Sequence, residues 1–419
     1  MNLLIKGITI ADPNSVFNGK TCDVSVEKGI IKAIASKLEN SGTVEVYDGK
    51  GAILSPGFFD LNCVLGDPGL ETKEDIHTGT AAAAAGGFTG IAIMPNTKPV
   101  VQSKGEVAYI LNRAKGDLVD VKPIGAISQH LEGKELAEMF DMKQAGAVAF
   151  AEAGKAIADD GFMSRALQYA LGFNGLLFTH PENKALAGKA QVNESKTTIL
   201  LGMKGIPALA EELQVSRDIF LAQYHNAPLH ISNISTAGAV ALIKKAKKDG
   251  VKVTCDVAAH QLVFTEELLN DFDSNYKVKP PLRSKADNKA LIAGLKDGTI
   301  DAVSSQHRPH EIEFKNVEFE IASYGIIALQ TVLPLLLQAG LDTALIVDKL
   351  AIAPRTLLKL EVPQIEVGQA ANFTVFNPTQ EWRFDSETNQ SKSANSPLFN
   401  TTLKGKVGLV YNNKQYKIY

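Results

Sequence analysis

The stretch SPGFFDLNCVLGDPG, residues 55–69, contains an apolar run that ends at Asp60 and is followed by turn-forming Gly and Pro. Apolar residues occupy both alternating sets of positions before Asp60, which is typical of a strand buried on both faces in a parallel sheet. Beyond Asp60, the next inward-alternating positions hold Asn62 and Val64. The pattern predicts the first strand of a barrel and directs attention to the side chains at its carboxyl end.

Seven further strand-like segments alternate with helical segments after residue 87, and most of the helical segments end in Gly. Eight strand–helix units of this kind predict an α/β fold, a (β/α)8 TIM barrel, over residues 51–362. Short strand patterns return near the carboxyl terminus. We therefore predict a small composite β-sandwich domain built from residues 1–50 and 363–419.

Composition places limits on the protein class. The 419 residues include 45% hydrophobic residues, enough for a large core, and the formal net charge of -3 provides no broad basic field for nucleic acid or an anionic membrane. The first residues, MNLLIKGITIADP, alternate like a strand and show no export signal, and no apolar run approaches the ~20 residues of a membrane span. Cys22, Cys63 and Cys255 are too few and too far apart for a disulfide framework or a Cys-built zinc site. These features predict a soluble protein of the reducing cytoplasm.

Chemistry in such barrels takes place at the carboxyl ends of the strands. A two-metal hydrolytic site there needs several His and carboxylate ligands. Only Glu152 and His180 stand out at these ends, with His260 and His307 as further candidates. His180 is also explained as a buried, hydrogen-bonded histidine. Glu152 lies one position off and would point to the other face of its strand, and a histidine in a Pro-containing loop, such as His307, is commonly structural. The strand ends alone therefore leave metal binding open.

Four longer segments carry a family resemblance, and within them MPNT, PPLR and GTIDA occur in that order. The segments are SPGFFDLN, DPGLETKEDIHTGTAAAAAGGFTGIAIMPNTKPV, YKVKPPLRSKADNKALIAGLKDGTIDAVSSQHRPH and SPLFNTTLKGKV. Over nearly the whole chain they resemble the dihydroorotases of the amidohydrolase superfamily. The resemblance implies a barrel with a composite β domain. It also implies zinc-dependent cyclisation of carbamoyl-aspartate to dihydroorotate in pyrimidine synthesis.

The family's metal ligands can be carried over only position by position. Its first-strand His-x-His pair falls on Asn62 and Val64. Its fourth-strand Asp-Asp-Gly motif falls on Glu152, Ala153 and Gly154, so that the metal-bridging Asp falls on Ala153. An amide is a poor zinc ligand, and Val and Ala provide no ligand atom.

The later strands preserve one ligand of three. The fifth-strand His is retained as His180, whereas the sixth-strand His falls on Asn233 and the eighth-strand Asp, which ligates metal and moves the proton, falls on Gln306. An amide has no basic site near neutral pH, so Gln306 cannot act as that base. No catalytic residue is therefore expected, and the resemblance indicates a degenerate member with His180 as its only retained ligand.

The family's substrate-binding positions are partly retained. The Arg that grips the substrate carboxylate falls on Gly66 and an Asn falls on Lys279, whereas Asn96 and His310 remain. Arg308, together with Lys279, offers a cation from another wall of the pocket. Anion binding is therefore left open.

Two hypotheses of different classes follow. The first is a catalytically inactive dihydroorotase-like protein, a pseudoenzyme that forms homo-oligomers and packs with aspartate transcarbamoylase. For this protein no cofactor is expected, although zinc serves the active family. The second is an active dihydroorotase, or another cyclic-amide hydrolase, with a rebuilt site. Replacement of five ligands favours the first hypothesis, because losing single members of a cooperating catalytic set already removes most of the rate.

Overall fold

The computed structural model describes residues 2–40 and 44–419. Its strands form two eight-stranded sheets and one two-stranded sheet. The strands are β1 Leu3–Ile10, β2 Thr21–Glu27, β3 Ile30–Ala35, β4 Glu45–Asp48, β5 Ile53–Pro56, β6 Phe58–Cys63, β7 Phe88–Ile93, β8 Asp120–Ala126, β9 Ala149–Ala151, β10 Leu177–Thr179, β11 Val192–Asn193, β12 Gly205–Ile206, β13 Leu229–Ile231, β14 Val253–Ala258, β15 Ala302–Ser304, β16 Phe373–Phe384, β17 Thr401–Asn412 and β18 Gln415–Ile418.

The α-helices of the described residues lie between the end of β6 and the start of β16. They are α1 Ile76–Ala85, α2 Lys104–Arg113, α3 Met139–Ala145, α4 Asp160–Leu171, α5 Lys184–Ala187, α6 Lys196–Leu200, α7 Ala208–His225, α8 Ala237–Lys248, α9 Lys285–Lys296, α10 Val332–Gln338, α11 Thr343–Val347 and α12 Ala353–Leu357. Within residues 2–40 and 44–419, no helix is both long and apolar enough to cross a lipid bilayer.

The predicted barrel is confirmed. Strands β6 to β10 and β13 to β15 are parallel and lie in sequence order in one sheet. The last strand returns to the first, because Val64 N donates to His307 O at 2.9 Å and Cys63 forms an isolated bridge with His307. The three-residue strands β9, β10 and β13 are buried and pair with a neighbour on both sides, and the equally short β15 is buried and pairs with β14.

The second large sheet draws strands from both ends of the chain. β5 pairs with β1 in parallel and with β16 in antiparallel orientation. The apolar run at residues 53–63 is therefore divided between two sheets at Gly57, where a Cβ would lie 2.1 Å from Thr89 Oγ1. The division into residues 1–50 plus 363–419 and residues 51–362 remains a prediction, with β5 placed in the sheet of the chain ends.

One core joins this sheet to the barrel. Phe376, Val407 and Val410 pack in the same buried cluster as the barrel side chains. The rings of Phe58 and Phe376 lie 5.7 Å apart. The sheet therefore covers part of the barrel wall.

Candidate active site

The carboxyl ends of the barrel strands bring most of the predicted ligand positions together. They surround a cavity of about 10 Å³, which is roughly the space of a single water molecule. Its lining includes Asn62, Met94, Glu152, Ala153, Phe178, Thr179, His180, Ser232, Gln306 and Arg308. Asn233 is linked to this group through a hydrogen bond, whereas Val64, Gly66, Asn96, Lys279 and His310 do not line the cavity.

Three of the strand ends share an unusual backbone conformation. Ala153, Asn233 and Gln306 each follow a strand end by two residues and have φ values of 50°, 57° and 51°. The left-handed region disfavours residues with a Cβ. The barrel frame therefore holds these residues in a conformation that their side chains do not require.

A chain of amides closes the site between β6 and β14. Asn62 Nδ2 donates to Asn233 Oδ1 at 3.3 Å. Asn233 in turn donates to Asp256 from its backbone N at 2.7 Å and from Nδ2 at 3.1 Å. His230 Nε2 lies 3.2 Å from the same carboxylate. These side chains are buried and largely committed to one another, although Asn62 Oδ1 is without a hydrogen-bond partner among the described residues.

Gln306 and Lys279 are also engaged. Gln306 Nε2 donates to the backbone O of Lys279 at 2.8 Å. Lys279 Nζ forms an ion pair with Glu182 Oε1 at 2.8 Å. The ammonium group of Lys279, which was a candidate for binding a substrate carboxylate, is therefore already paired with a carboxylate of the protein.

Glu152 and Arg308 occupy the opposite wall. Glu152 accepts hydrogen bonds from Ser128 N at 2.7 Å and Ser128 Oγ at 2.8 Å, and burial raises the pKa of its carboxyl group. Arg308 Nη2 donates to Ala153 O at 3.3 Å. A Cβ at Gly154 would lie 2.5 Å from Arg308 Nη2, so glycine there makes room for the guanidinium group.

Two buried histidines are neutral. Burial, followed by the nearby charges of Lys279 and Arg308, lowers the pKa of His180 to about 3. Burial lowers the pKa of His260 to about 3 as well. Among the described residues, His180 Nε2 and both ring nitrogens of His260 lack a hydrogen-bond partner. Of the two, only His180 faces the small cavity.

The histidines after β15 have structural contacts. The backbone N of Ala328 donates to His307 Nδ1 at 3.0 Å, which assigns the ring proton to Nε2, 3.5 Å from Glu74 Oε2. His310 Nε2 donates to Tyr324 O at 3.0 Å, and burial lowers the pKa of His310 to about 4. His310 lines a separate cavity of about 840 Å³ beside the barrel mouth.

The remaining predicted pocket positions lie outside the small cavity. A Cβ at Gly66 would lie 2.0 Å from Leu70 O, so the loop after β6 leaves no room for any side chain there. Val64 packs against the barrel core. Asn96 Oδ1 is buried and lacks a hydrogen-bond partner among the described residues.

Sequence reasoning missed the carboxylates that hold the site together. Asp60 accepts hydrogen bonds from Ser305 N and Oγ, both at 2.6 Å, and burial raises its pKa to about 6. Asp256 and Glu182 hold Asn233 and Lys279 in the same way. Asp60 and Asp256 lie within strands. The sequence pattern of a strand indicates that a side chain is buried, but it does not identify the hydrogen-bond partner of that side chain.

The fit of the family metal can be tested on these side chains. His180 is the only one of the six predicted positions that carries a His or carboxylate side chain. Residues 2–40 and 44–419 contain no group of three or more His, Cys, Asp or Glu residues that could hold a metal ion. The described strand ends therefore do not fit the two-zinc ligand set of the resembled family.

Comparisons with known proteins identify close relatives. Residues 51–239 match the family model described as dihydro-orotase-like. A dihydroorotase of Geotalea daltonii is 43% identical over 410 residues, covering 97% of this chain and 96% of that protein. A dihydroorotase of Acetivibrio thermocellus is 44% identical over 411 residues, with coverage of 97% and 96%.

The solved structures support the fold. L-hydantoinase (dihydropyrimidinase) from Arthrobacter aurescens superposes with a TM-score of 0.86 at 22% identity, over 100% of this chain and 97% of that one. At this identity the likeness concerns the fold alone.

The relatives overturn one prediction. No cofactor was expected, but the relatives are dihydroorotases, and the reaction of that family depends on zinc. That prediction is wrong, because a divalent metal is the cofactor that these relatives indicate. The relatives therefore indicate a metal-dependent enzyme, whereas the described side chains at the ligand positions of this chain do not form the family's zinc site.

Proposed function

The chain belongs to the dihydroorotase family, and from this premise we propose that it serves pyrimidine biosynthesis without hydrolysing dihydroorotate, as a structural partner of aspartate transcarbamoylase. The observation that carries the proposal is the cavity of about 10 Å³ at the barrel mouth. Small-molecule sites usually occupy roughly 300 Å³ or more. A cyclic substrate the size of dihydroorotate would have to displace the packed side chains of this mouth.

Proton transfer lacks a suitable group. The family reaction needs a base at the position of Gln306, and an amide has no basic site near neutral pH. The nearby carboxylates are committed elsewhere, since Glu152 accepts from Ser128 and Asp256 accepts from Asn233. Each of these carboxylates already serves as a buried hydrogen-bond acceptor within the protein.

Substrate binding is weakened as well. Gly66 provides no guanidinium group, and the ammonium group of Lys279 is paired with Glu182. Arg308 donates to Ala153 O inside the closed mouth. A substrate carboxylate would have to compete with each of these contacts, and competition of that kind costs affinity.

The partner is proposed by analogy with the family. A fold supports many functions, so a preserved barrel is compatible with a binding role but does not specify one. Aspartate transcarbamoylase supplies carbamoyl-aspartate, the substrate of the dihydroorotase reaction. A dihydroorotase-like chain that no longer turns this product over retains a role if it supports the oligomeric assembly of the transcarbamoylase.

Two measurements test the proposal. The purified chain is assayed in both directions of the dihydroorotase reaction, with and without added Zn²⁺, beside an active dihydroorotase as the positive control. We expect no turnover above the buffer rate. Zinc-stimulated turnover that is lost in His180→Ala would contradict inactivity and favour a dihydroorotase with a rebuilt site.

The partnership is tested separately. The chain is co-expressed with aspartate transcarbamoylase from the same cell, and the mass and activity of each protein are measured alone and together. Co-elution with a change in transcarbamoylase activity or thermal stability is expected. Separate elution at micromolar concentration with unchanged activity would remove the proposed partner and leave the hydrolysis result standing.

A further inference from the structure

A large cavity lies where the barrel meets the sheet of the chain ends. Its volume is about 640 Å³, which is within the roughly 300–1,000 Å³ of ligand pockets in proteins. Phe59 of β6, Gly90 of β7 and both Asp120 and Lys122 of β8 line it, and each lies among the first three residues of its strand. The cavity is therefore at the amino-terminal ends of the barrel strands, opposite to the candidate active site at their carboxyl ends.

The remaining wall of the cavity comes from segments that are distant in the sequence. Residues 29–30, 360–364, 369–372 and 412–414 complete it. A molecule bound here would contact both the barrel and the sheet of the chain ends. Chemistry in such barrels takes place at the carboxyl ends of the strands, so a ligand site at this end is separate from the family reaction.

Arg355 of α12 places a buried cation at this cavity, and its side chain is 4% exposed. Nη1 donates to Ala351 O at 2.9 Å and to Gly57 O, and Nη2 donates to Thr89 Oγ1 at 2.8 Å. These contacts use three of the five N–H donors of the guanidinium group, and all three acceptors are neutral. Burial lowers the pKa of Arg355 to about 10, an effect that the charge of Asp120 offsets only in part.

The aromatic ring of Phe59 holds this guanidinium group in place. The guanidinium carbon of Arg355 lies 5.3 Å from the centroid of the ring, within the range of a cation–π contact. Gly90 makes room for the ring, because a Cβ at that position would lie 2.6 Å from Phe59 Cδ2. The cation is therefore fixed before a ligand arrives, and a fixed group loses less entropy on binding.

Two further cations at the cavity have no acidic partner. Lys122 is half-buried and Lys414 is exposed. Within residues 2–40 and 44–419, neither ammonium group forms a hydrogen bond or an ion pair. Both groups are therefore available to a ligand.

The acidic groups at the cavity leave an excess of positive charge. Asp120 accepts hydrogen bonds from Asn412 Nδ2 at 3.3 Å and from Asn413 Nδ2 at 3.0 Å. Glu361 is exposed to solvent, where salt screens its charge. The cavity is thus lined by three cations and two carboxylates, and a buried or partly buried cation without an acidic partner favours an anionic ligand.

Another part of the cavity wall is apolar. Ile30 is 40% exposed, and Leu360, Val362 and Pro363 are half-buried. An apolar surface beside a cationic one suits a molecule that combines an anionic group with an organic body. A bare inorganic ion would leave most of the cavity to water.

We propose that this cavity binds a small organic phosphate of the size of a sugar phosphate or a nucleoside monophosphate. A phosphate group carries three acceptor oxygens and roughly two negative charges near neutral pH, which match the donors of a guanidinium group and two ammonium groups. The sugar or the base would lie against the apolar wall. The inference uses no residue of the candidate active site and is independent of hydrolysis and of the transcarbamoylase partner.

Isothermal titration calorimetry of the full chain at constant ionic strength tests the proposal, with ribose 5-phosphate and AMP as probes. We expect both probes to bind with a Kd below about 1 mM. Inorganic phosphate and adenosine should each bind at least about tenfold more weakly than AMP, because each supplies only the anionic or only the organic part of the ligand.

Variants separate the charge of the cavity from its shape. Lys122→Met, Lys414→Met should lower the affinity for both probes by about tenfold or more, because it removes charged hydrogen-bond donors. Lys189→Met, Lys245→Met is the matched control, because both of these lysines are exposed and neither lines the cavity. Ala370→Phe keeps every charge but fills the cavity from an exposed position, and it should also weaken binding. Thermal unfolding without ligand checks that each variant is folded.

Three results would overturn the proposal. They are a Kd above about 1 mM for both probes, unchanged affinity in Lys122→Met, Lys414→Met, or an affinity for inorganic phosphate or adenosine equal to that for AMP. Arg355 is left unchanged in these experiments, because its hydrogen bonds to Gly57 and Thr89 also hold the barrel together.

Discussion

At the residue scale, Ala153 adopts a left-handed backbone conformation that is unfavourable for alanine. Its φ of 50° lies in the left-handed region, where a Cβ costs roughly 1–2 kcal/mol. Glycine avoids this cost but loses more backbone entropy on folding, by about 0.5–1 kcal/mol. The balance favours glycine at this position.

We therefore expect Ala153→Gly to raise the free energy of unfolding by about 0.5–1 kcal/mol. The matched control is Ala151→Gly in β9, where glycine only weakens a strand, and it should lower stability. Chemical denaturation of the three proteins measures both changes. A loss of stability in Ala153→Gly would show that the bend stores no strain.

His260 makes stability depend on pH. Its native pKa of about 3 lies below the ordinary value near 6.5, so the unfolded chain binds a proton first as the pH falls. The stability that neutral His260 contributes is complete above about pH 6.5 and is lost towards pH 3, by up to ~1.4 kcal/mol per pH unit. Asp60 and Asp218, whose pKa values burial raises to about 6, act in the opposite direction.

His260→Leu isolates this effect, because both ring nitrogens lack partners among the described residues and the two aspartates remain. Relative to the unchanged chain, the variant should become more stable as the pH falls from 6.5 to 4.5, by about 1 kcal/mol per unit. His130→Asn, at an exposed position, is the control and should give a smaller change. A stability difference that is independent of pH would contradict the assignment.

At the same scale, the sequence identified the side chains at the strand ends but not their contacts. Asn62, Asn233 and Gln306 were located by alternation and by motif. Their partners Asp256 and the backbone O of Lys279 were not, because these contacts join residues that are 23 or more positions apart. Only the packed barrel determines which buried amide meets which acceptor.

At the element scale, the loop after β6 determines what residue 66 can be. Gly66 N donates to Glu74 O and Gly66 O accepts from Leu70 N, so the loop folds tightly around this residue. Gly66→Ala would place a Cβ 2.0 Å from Leu70 O and should lower stability by more than about 2 kcal/mol. Gly105→Ala in α2 meets only Ser103 Oγ at 3.6 Å and should be neutral or stabilising.

Thermal unfolding of the two alanine variants measures the contrast. If Gly66→Ala is as stable as Gly105→Ala, the loop can open, and a side chain from position 66 could reach the barrel mouth. The expected result instead means that one substitution cannot return an arginine to this position without rebuilding the loop.

Element types and some helix starts were predictable from the sequence, whereas the boundary between two consecutive strands was not. Capping side chains mark several helix starts, such as Ser103 before α2 and Asp159 before α4. The apolar run at residues 53–63 gave no sign that Gly57 divides it between two sheets. A continuous apolar pattern cannot show that its two halves pair with different strands.

At the scale of the whole molecule, the two sheets should unfold together. Phe376, Val407 and Val410 lie in the barrel core, and Asn412 Nδ2 donates to Thr89 O at 3.1 Å and Leu118 O at 3.0 Å. Trp382 is the only tryptophan and lies in β16. Its fluorescence therefore reports the sheet of the chain ends.

The α-helices all belong to the barrel units, so far-UV circular dichroism reports mainly the barrel. We expect thermal transitions of Trp382 fluorescence and of circular dichroism to coincide, as for a single cooperative unit. Two transitions separated by several degrees would show that the sheet and the barrel unfold independently. The sequence predicted both parts, but the shared core that couples them depends on contacts between distant segments.

The left-handed bends at Ala153, Asn233 and Gln306 suggest how such a protein can change over generations. A side chain changes with one codon, whereas a main-chain bend between packed strands changes only if its neighbours move with it. Selection for folding alone is therefore sufficient to maintain these three bends, whatever side chains they carry. Any new chemistry acquired at this mouth would start from main-chain bends that are already in place at three strand ends, with only the side chains left to change.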